Sequence, residues 1–125
     1  MHNLAGWNVL IVEDEHDAHE VLTSVLHHCN AEVESVYTGE EALSRLREYT
    51  PTVAIIDLAL PGMNGWELFE EMKSTPEYAG IPAVAMTAYH STSVAQEAIN
   101  VGFIAYFPKP VNTMTFVEDL VYILT

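Results

Sequence analysis

The chain has 125 residues, half of them hydrophobic, and it carries 18 acidic residues against 4 lysines and arginines. This length and composition predict a single folded domain over residues 1–125, with 1–6 as an N-terminal tail, and exclude a disordered chain. The formal net charge of −14 repels nucleic acid and anionic lipid, so we expect neither DNA binding nor membrane binding.

The sequence also predicts a cytoplasmic location. No apolar stretch approaches the roughly 18 residues that a transmembrane helix needs, and the first residues lack the basic start and apolar core of a signal peptide. The only cysteine, Cys29, cannot form an internal disulfide, which fits a reducing compartment. Because Cys29 continues an apolar helical stripe, we expect a buried thiol rather than a reactive one.

Apolar runs alternate with amphipathic segments five times along the chain. Short apolar runs predict buried strands, whereas apolar residues three and four apart predict helices. Thr38 followed by Glu41 is a capping-box pattern, and Asn112 is a candidate N-cap. In chain order, the predicted elements are a strand at 9–12, a helix at 15–29, an edge strand at 32–36, a helix from 38 to about 48, a strand at 53–57, a helix at 65–74, a strand at 83–86, a helix at 93–101 closed by Gly102, a strand at 103–107 and a helix from 112 to 124.

This alternation predicts an α/β fold. Strands that alternate with helices form a parallel sheet covered on both faces, with right-handed crossovers. The first strand is expected near the centre, which gives the strand order 2-1-3-4-5 of a flavodoxin-like (βα)5 sandwich. The connections are short and no linker interrupts them, so we expect no second domain.

Charged side chains follow three of the predicted strands. Glu13 and Asp14 follow the first strand, Asp57 ends the third, and Lys109 follows the fifth. Because the carboxyl ends of parallel strands meet at one edge of a sheet, we expect these side chains to lie close together. Three carboxylates and an ammonium group at one edge make a candidate site for a divalent metal and a phosphoryl group.

Four segments together match a known family. They are VLIVEDE at 9–15, IIDLALPGMNG at 55–65, MTA at 86–88 and YFPKP at 106–110. In this order and spacing they resemble the bacterial two-component response-regulator receiver family, in the manner of its single-domain chemotaxis regulators. The resemblance covers essentially the whole chain and implies a signalling phosphoacceptor rather than an enzyme.

The resemblance implies a phosphorylation site at Asp57. This residue would accept a phosphoryl group from a histidine kinase or a histidine phosphotransfer protein, which would dock on the face of the first helix. Mg²⁺ is the implied cofactor, with Mn²⁺ as a substitute. Asp14, Asp57 and the backbone carbonyl of Ala59 would ligate the ion, and Glu13 would act through water.

The resemblance also implies how the phosphoryl group is held and sensed. Thr87, Ala88 and Lys109 would surround the phosphoryl group, and the peptide bond between Lys109 and Pro110 is expected to be cis. Thr87 and Tyr106 would form the switch. A downstream protein, unidentified by the sequence, would bind the surface of the fourth helix, fifth strand and fifth helix.

Two observations refine these expectations. Few basic residues are available for the charge pairs through which DNA-binding relatives dimerise, so we expect a monomer or a weak dimer. Ala59 offers no polar side chain to position water, and Tyr89 is bulky enough to shade an acyl phosphate. We therefore expect slow self-dephosphorylation.

Other functions fit the sequence less well. An aspartyl-nucleophile phosphatase of the haloacid-dehalogenase type needs a second aspartate two residues after the nucleophile, where this chain has Ala59. A flavodoxin needs a Ser/Thr/Gly-rich phosphate loop where residues 13–15 are acidic. A pseudo-receiver that binds a protein constitutively stays open as an alternative. His16 and His19 are interpreted as a solvated helix face, and Trp66 is expected to pack at the third helix.

Overall fold

The computed structural model of the protein describes residues 2–125. Its elements are β1 (Asn8–Val12), α1 (His16–His28), β2 (Glu32–Val36), α2 (Gly39–Leu46), β3 (Val53–Asp57), α3 (Gly65–Ser74), β4 (Ala83–Thr87), α4 (Thr92–Val101), β5 (Ala105–Pro108) and α5 (Phe116–Leu124). None of these helices is long and apolar enough to cross a membrane.

The five strands form one sheet with parallel pairing and the order β2-β1-β3-β4-β5, which confirms the predicted topology. β3 and β4 are buried along their whole length, as expected for strands covered on both faces. In contrast, β2 is partly exposed along four of its five residues, as its alternating glutamates predicted. The sheet therefore brings the carboxyl ends of β1, β3, β4 and β5 to one edge.

Two apolar layers hold the sheet between the helices. Alternate residues of each central strand point to opposite faces, so Leu10 and Ile56 join one layer while Ile11 and Ile55 join the other. The first layer packs against α2, α3 and α4, and the second packs against α1 and α5. Cys29 lies in the second layer and is 8% exposed, so the thiol is buried as predicted.

The predicted start of α5 is wrong by one turn. Asn112 does not cap the helix; its side-chain oxygen accepts a hydrogen bond from the Met114 N–H at 3.0 Å. Its carbonyl also accepts bonds from the N–H groups of Thr115 and Phe116, which closes a turn before α5 begins at Phe116. The side chain was correctly identified as a turn former, but the turn precedes the helix instead of opening it.

β5 also starts later than predicted, because the backbone N–H of Phe103 bonds to the end of α4. Gly102 adopts a left-handed φ of 119° and caps α4, as expected. The Phe103 N–H then donates to the carbonyl of Ala98 at 3.0 Å, so it is unavailable to the sheet. The Phe103 ring is buried and stacks on Phe69, and β5 begins only at Ala105. The Trp66 ring of α3 also packs against Phe103 in a T-shaped arrangement, with ring centroids 6.1 Å apart.

His19 corrects the interpretation of the first helix. We expected it on a solvated face, yet it is only 7% exposed. It lies three residues before Leu22 and seven before Leu26, and all three occupy the buried stripe of α1. Its ring stacks parallel on Tyr37 at 4.3 Å, and burial lowers the pKa of the imidazole. His16, in contrast, is exposed and contacts Glu20 at 3.3 Å.

The caps of α2 and α3 fix the loops that precede these helices. Thr38 accepts a hydrogen bond from the Glu41 N–H at 3.1 Å, while the Glu41 carboxylate reaches back to the N–H of Tyr37. The complete capping box lies at α3, where Asn64 and Glu67 each accept from the other's N–H at 2.9 and 3.0 Å. This second box fixes the end of the loop that leaves Asp57.

Gly65 permits α3 to start directly against the end of β3. A Cβ atom at this position would overlap the carbonyl oxygen of Asp57 and lie 2.7 Å from the Cα of Leu58. Both contacts are with backbone, which cannot swing aside as a flexible side chain can. Only glycine therefore allows the Gly65 N–H to donate to the Leu58 carbonyl at 3.0 Å.

We predict that Gly65→Ala lowers the free energy of unfolding by about 1–3 kcal/mol, because the added methyl forces the backbone beside Asp57 apart. Urea unfolding followed by circular dichroism measures the change. Gly80→Ala is the control, since a Cβ there meets nothing within 4 Å. The control should stay within about 0.5 kcal/mol of wild type, and equal effects of the two substitutions would contradict the close-approach argument.

Candidate functional site

The pairing of β1 with β3 brings the predicted carboxylates together. Val12 lies opposite Ile56, so the residues that follow, Glu13 and Asp57, are neighbours at the carboxyl edge of the sheet. Ligand oxygens of Glu13, Asp14 and Asp57 all lie within 4.8 Å of one another. Three carboxylates thus form one cluster, which we call the acidic cluster.

Two members of the acidic cluster are buried and one faces solvent. Glu13 is fully buried, Asp57 is 2% exposed, and Asp14 is exposed. Each buried carboxylate has one backbone donor: the Ala59 N–H donates to Asp57 Oδ1 at 2.9 Å, and the Glu15 N–H donates to Glu13 Oε2 at 3.0 Å. Backbone donors alone cannot offset the removal of two negative charges from water, so a cation is required.

Lys109 supplies a cation to the buried carboxylates. Its Nζ lies 2.6 Å from Glu13 Oε1, 2.8 Å from Glu15 Oε1 and 3.0 Å from Asp57 Oδ2. The contacts with Glu15 and Asp57 are hydrogen bonds, whereas the closer contact with Glu13 is an ion pair without hydrogen-bond alignment. The lysine side chain is itself only 9% exposed, so it lies inside the cleft instead of on the surface. The Lys109–Pro110 peptide bond is cis.

The pKa values of Lys109 and Glu13 depend on each other's charge and on burial. Burial alone would lower the pKa of Lys109, but the carboxylates of Glu13, Glu15 and Asp57 outweigh it and raise that pKa above the ordinary value. Burial raises the pKa of Glu13 to about 7, and the neighbouring ammonium and the Glu15 N–H offset this only in part. Lys109 is therefore charged at neutral pH, whereas Glu13 is partly protonated there.

The acidic cluster has the chemistry of a divalent-cation site. Its donors are all carboxylate oxygens, which hard ions such as Mg²⁺ prefer. Lys109 offers a single positive charge to Glu13, Glu15 and Asp57, so negative charge remains in the cluster for a bound cation to neutralise. The exposed Asp14 leaves one side of the cluster open to water, as a magnesium ion that keeps several waters needs. The residues present therefore fit the implied ion.

The remaining predicted residues lie around the same edge. Thr87 ends β4, is 2% exposed, and its hydroxyl accepts a hydrogen bond from the Tyr89 N–H at 3.1 Å. Ala59 and Ala88 are exposed on the loops that follow β3 and β4, and the Tyr89 side chain is 76% exposed. Tyr106 lies on β5, half-buried against the layer formed by α2, α3 and α4.

Two contacts at this edge were not predicted from the sequence. Glu15 shares the Lys109 ammonium, and its position directly after the Glu13-Asp14 pair was the only signal of this. His90 bonds the Tyr106 hydroxyl through Nδ1 at 2.9 Å, and no spacing rule links these two residues. Both contacts depend on loop conformation, which the apolar pattern does not specify.

An apolar groove of about 390 Å³ adjoins the acidic cluster. It runs between α1 and the segment that follows β5. Its walls include Ala18, Val21 and Leu22 from one side and Pro110 and Val111 from the other. The first-helix face therefore offers apolar surface next to the buried carboxylates.

Comparisons with known proteins agree with this geometry. An uncharacterized 14.6 kDa protein of Leptolyngbya boryana is 33% identical over 118 residues, which cover 94% of this chain and 90% of that protein. The polar-differentiation response regulator DivK of Brucella ovis is 28% identical, with 90% and 92% covered. The structure of the chemotaxis response regulator CheY4 of Vibrio cholerae superposes with a TM-score of 0.86 at 27% identity, with 94% and 98% covered.

A family model covers most of the chain. The model of the response regulator receiver domain matches residues 9–121, a range that includes every member of the acidic cluster together with Thr87, Tyr106 and Lys109. The match, the strand order and the similar proteins all point to one assignment. The chain belongs to the response regulator receiver domain family, whose members are signalling phosphoacceptors of two-component systems rather than classical enzymes.

Proposed function

We propose that Asp57 accepts a phosphoryl group from a phosphohistidine of a histidine kinase or a histidine phosphotransfer protein. The observation that carries this proposal is the clustering of Glu13, Asp14 and Asp57, with the Lys109 ammonium held against Glu13 and Asp57. Asp57 is the proposed acceptor because it ends the central strand β3, within the segment at 55–65 that resembles the family, and accepts a hydrogen bond from Lys109. We propose that residues 1–125 form one domain and that the protein acts in the cytoplasm.

The transfer is a single displacement at phosphorus. An oxygen of the Asp57 carboxylate attacks the phosphorus atom, an O–P bond forms, and the P–N bond to the donor imidazole breaks with its electron pair on nitrogen. Lys109 lies 3.0 Å from Asp57 Oδ2, close enough for its ammonium to pair with a phosphoryl oxygen on that carboxylate. The Thr87 hydroxyl completes the phosphoryl site. Ala88 borders the same site, and its small, exposed side chain leaves room for the phosphoryl group.

Mg²⁺ is the proposed cofactor, and Mn²⁺ is the ion we expect to replace it. Asp14, Asp57 and the Ala59 carbonyl would ligate the ion, with Glu13 acting through water. When bound, the ion neutralises negative charge shared by the carboxylates and the incoming phosphoryl group. The ligand oxygens of Glu13, Asp14 and Asp57, all within 4.8 Å of one another, support this assignment.

The proposed donor-binding face is the α1 side of the site. The apolar groove beside Lys109 exposes Val21 at 47%, so it offers contact area to a partner helix. The groove opens next to the acidic cluster, which suits a donor whose phosphohistidine must reach Asp57.

The proposed readout couples Thr87 and Tyr106 to the surface of α4, β5 and α5. This surface exposes Ile99 at 50%, Ile104 at 41% and Tyr122 at 78%, which favours a protein as the downstream partner. Glu118 and Asp119 are exposed there, and the described residues provide them with no ion-pair partner. We therefore propose a monomer or a weak dimer that signals by protein contact and not through DNA.

Phosphorylation by a small donor tests the function directly. We predict that acetyl phosphate with Mg²⁺ adds one phosphoryl group to the wild-type chain, read by intact mass, because the site itself supplies the nucleophile and the cations. Asp57→Asn should gain none. Asp119→Asn removes an exposed carboxylate of α5 and should behave as wild type. Modification of Asp57→Asn to the wild-type extent would refute the assignment.

The alanine two residues after Asp57 should make the phosphoryl group long-lived. We predict that Ala59→Asn speeds loss of phosphate about threefold to tenfold, because an amide beside the acyl phosphate can position a water molecule. The measurement is the decay of the phosphorylated mass after removal of the donor. Ala5→Asn, at an exposed turn outside the site, is the control and should leave the rate unchanged. The explanation fails if the two variants decay at the same rate.

Magnesium binding should weaken as pH falls through about 7. The raised pKa of Glu13 means that this carboxyl binds a proton in that range, and the proton competes with the ion for the cluster. We predict that calorimetric Mg²⁺ affinity falls roughly threefold or more between about pH 8 and about pH 6.

Two variants identify the group responsible for this pH dependence. Glu13→Gln should flatten it, whereas Glu32→Gln, at the amino end of β2 on the opposite edge of the sheet, should preserve it. An unchanged pH profile in Glu13→Gln would show that another group titrates.

A further inference from the structure

A side-chain hydrogen bond ties the loop between β4 and α4 to β5. His90 Nδ1 and the Tyr106 hydroxyl are 2.9 Å apart, and their rings are tilted with centroids at 5.4 Å. Burial raises the pKa of the Tyr106 hydroxyl, so the hydroxyl keeps its proton at neutral pH and can donate it to Nδ1 whenever that nitrogen carries no hydrogen. A protonated imidazole would instead donate to the hydroxyl oxygen, so the contact is available to either form.

The position of His90 connects three parts of the proposed switch. Thr87, at the end of β4, accepts the N–H of Tyr89 at 3.1 Å, so its hydroxyl is held by the residue that precedes His90. Ser91, which follows His90, is the N-cap of α4 and accepts the Val94 N–H at 3.1 Å. A single short loop therefore joins the Thr87 hydroxyl, the Tyr106 ring and the start of α4.

We propose that His90 is a positioning residue that holds Tyr106 and the β4–α4 loop in the unphosphorylated arrangement, so that the His90–Tyr106 contact opposes switching. This inference rests on the proposed function, because it concerns the same phosphoryl site. When the Thr87 hydroxyl rotates toward a phosphoryl group on Asp57, the loop that carries His90 must change its conformation, because the Tyr89 N–H bonds that hydroxyl. If that adjustment breaks the bond to Tyr106, the free energy of the bond biases the equilibrium toward the arrangement in which it is made.

The free energy of the His90–Tyr106 hydrogen bond is large enough to be measured as a change in an equilibrium constant. His90 is exposed and Tyr106 is half-buried, so the bond resembles an ordinary hydrogen bond near the surface rather than a buried network. Loss of such a bond changes an equilibrium about threefold to tenfold. A ligand that binds only the phosphorylated arrangement would gain affinity by the same factor.

Beryllofluoride, a mimic of a phosphoryl group on aspartate, is the probe. Its affinity is measured by calorimetry in the presence of Mg²⁺ for the 125-residue wild-type chain, His90→Ala, Tyr106→Phe and the double variant. We expect each single variant to bind about threefold to tenfold more tightly than wild type, and the double variant to gain no more than either single one. A role limited to stability would change thermal unfolding but would leave beryllofluoride affinity unchanged.

Two further variants test whether the Nδ1 atom is responsible. His90→Asn places a hydrogen-bonding atom close to the position of Nδ1 and should bind within about twofold of wild type. His27→Ala removes another exposed histidine, at the end of α1, and should also match wild type. Wild-type affinity in His90→Ala, additive effects in the double variant, or His90→Asn behaving as His90→Ala would each overturn the inference.

The same titration separates this inference from the proposed function. Asp57→Asn should not bind beryllofluoride, since the mimic forms on the Asp57 carboxylate. If wild type fails to bind, or if Asp57→Asn binds as tightly as wild type, the phosphoacceptor assignment is wrong and this inference falls with it. If wild type binds and Asp57→Asn does not, while His90→Ala matches wild type, only the role of His90 is refuted.

Discussion

Glu13 and Asp57 are carboxylates buried to 0% and 2% exposure, and their ionised forms depend on the ammonium group of Lys109. In a chain with a net charge of −14, this lysine is one of only four basic residues. It contacts both buried carboxylates and also Glu15, so three negative groups share one positive charge. Because three negative groups share a single ammonium, this edge of the sheet carries excess negative charge. Such an excess favours the binding of a divalent cation.

The strand order brings the buried carboxylates and Lys109 together. β1 lies beside β3 in the sheet, so the acidic residues that follow β1 reach Asp57 without a long loop. Lys109 crosses from the end of β5, two strands away from β3, and its N–H bonds the carbonyl of Thr87 on the intervening β4. The site and its proposed sensor therefore share backbone contacts. A change of charge at Asp57 would act directly on Lys109, whose backbone N–H bonds Thr87 at the start of the loop that carries His90.

Most of the fold and the centre of the site could be predicted from the sequence, because both follow from strands whose apolar runs end in charged residues. The run that ends at Asp57 is buried on both faces, and the strand order alone brings Glu13 and Asp14 to it. The errors have separate physical causes. His19 is polar, but its spacing with the buried residues of α1 places it inside. Phe103 has strand composition, yet the end of α4 binds its N–H first.

Contacts made by loop side chains could not be predicted. The bond between His90 and Tyr106 joins residues 16 apart through a loop conformation that no periodic pattern encodes. The contact of Glu15 with Lys109 spans 94 residues and depends on the reach of two flexible side chains. Such contacts depend on loop conformation and side-chain reach, so the apolar pattern carries no signal of them.

The most direct test of the central claim is a crystal structure of the protein with Mn²⁺, in which anomalous scattering locates the ion. The account predicts one strong peak in direct contact with carboxylate oxygens of Asp14 and Asp57, beside Glu13, with the Lys109 ammonium still facing Asp57. A peak elsewhere, or an acidic cluster that stays empty while its carboxylates point apart, would contradict it.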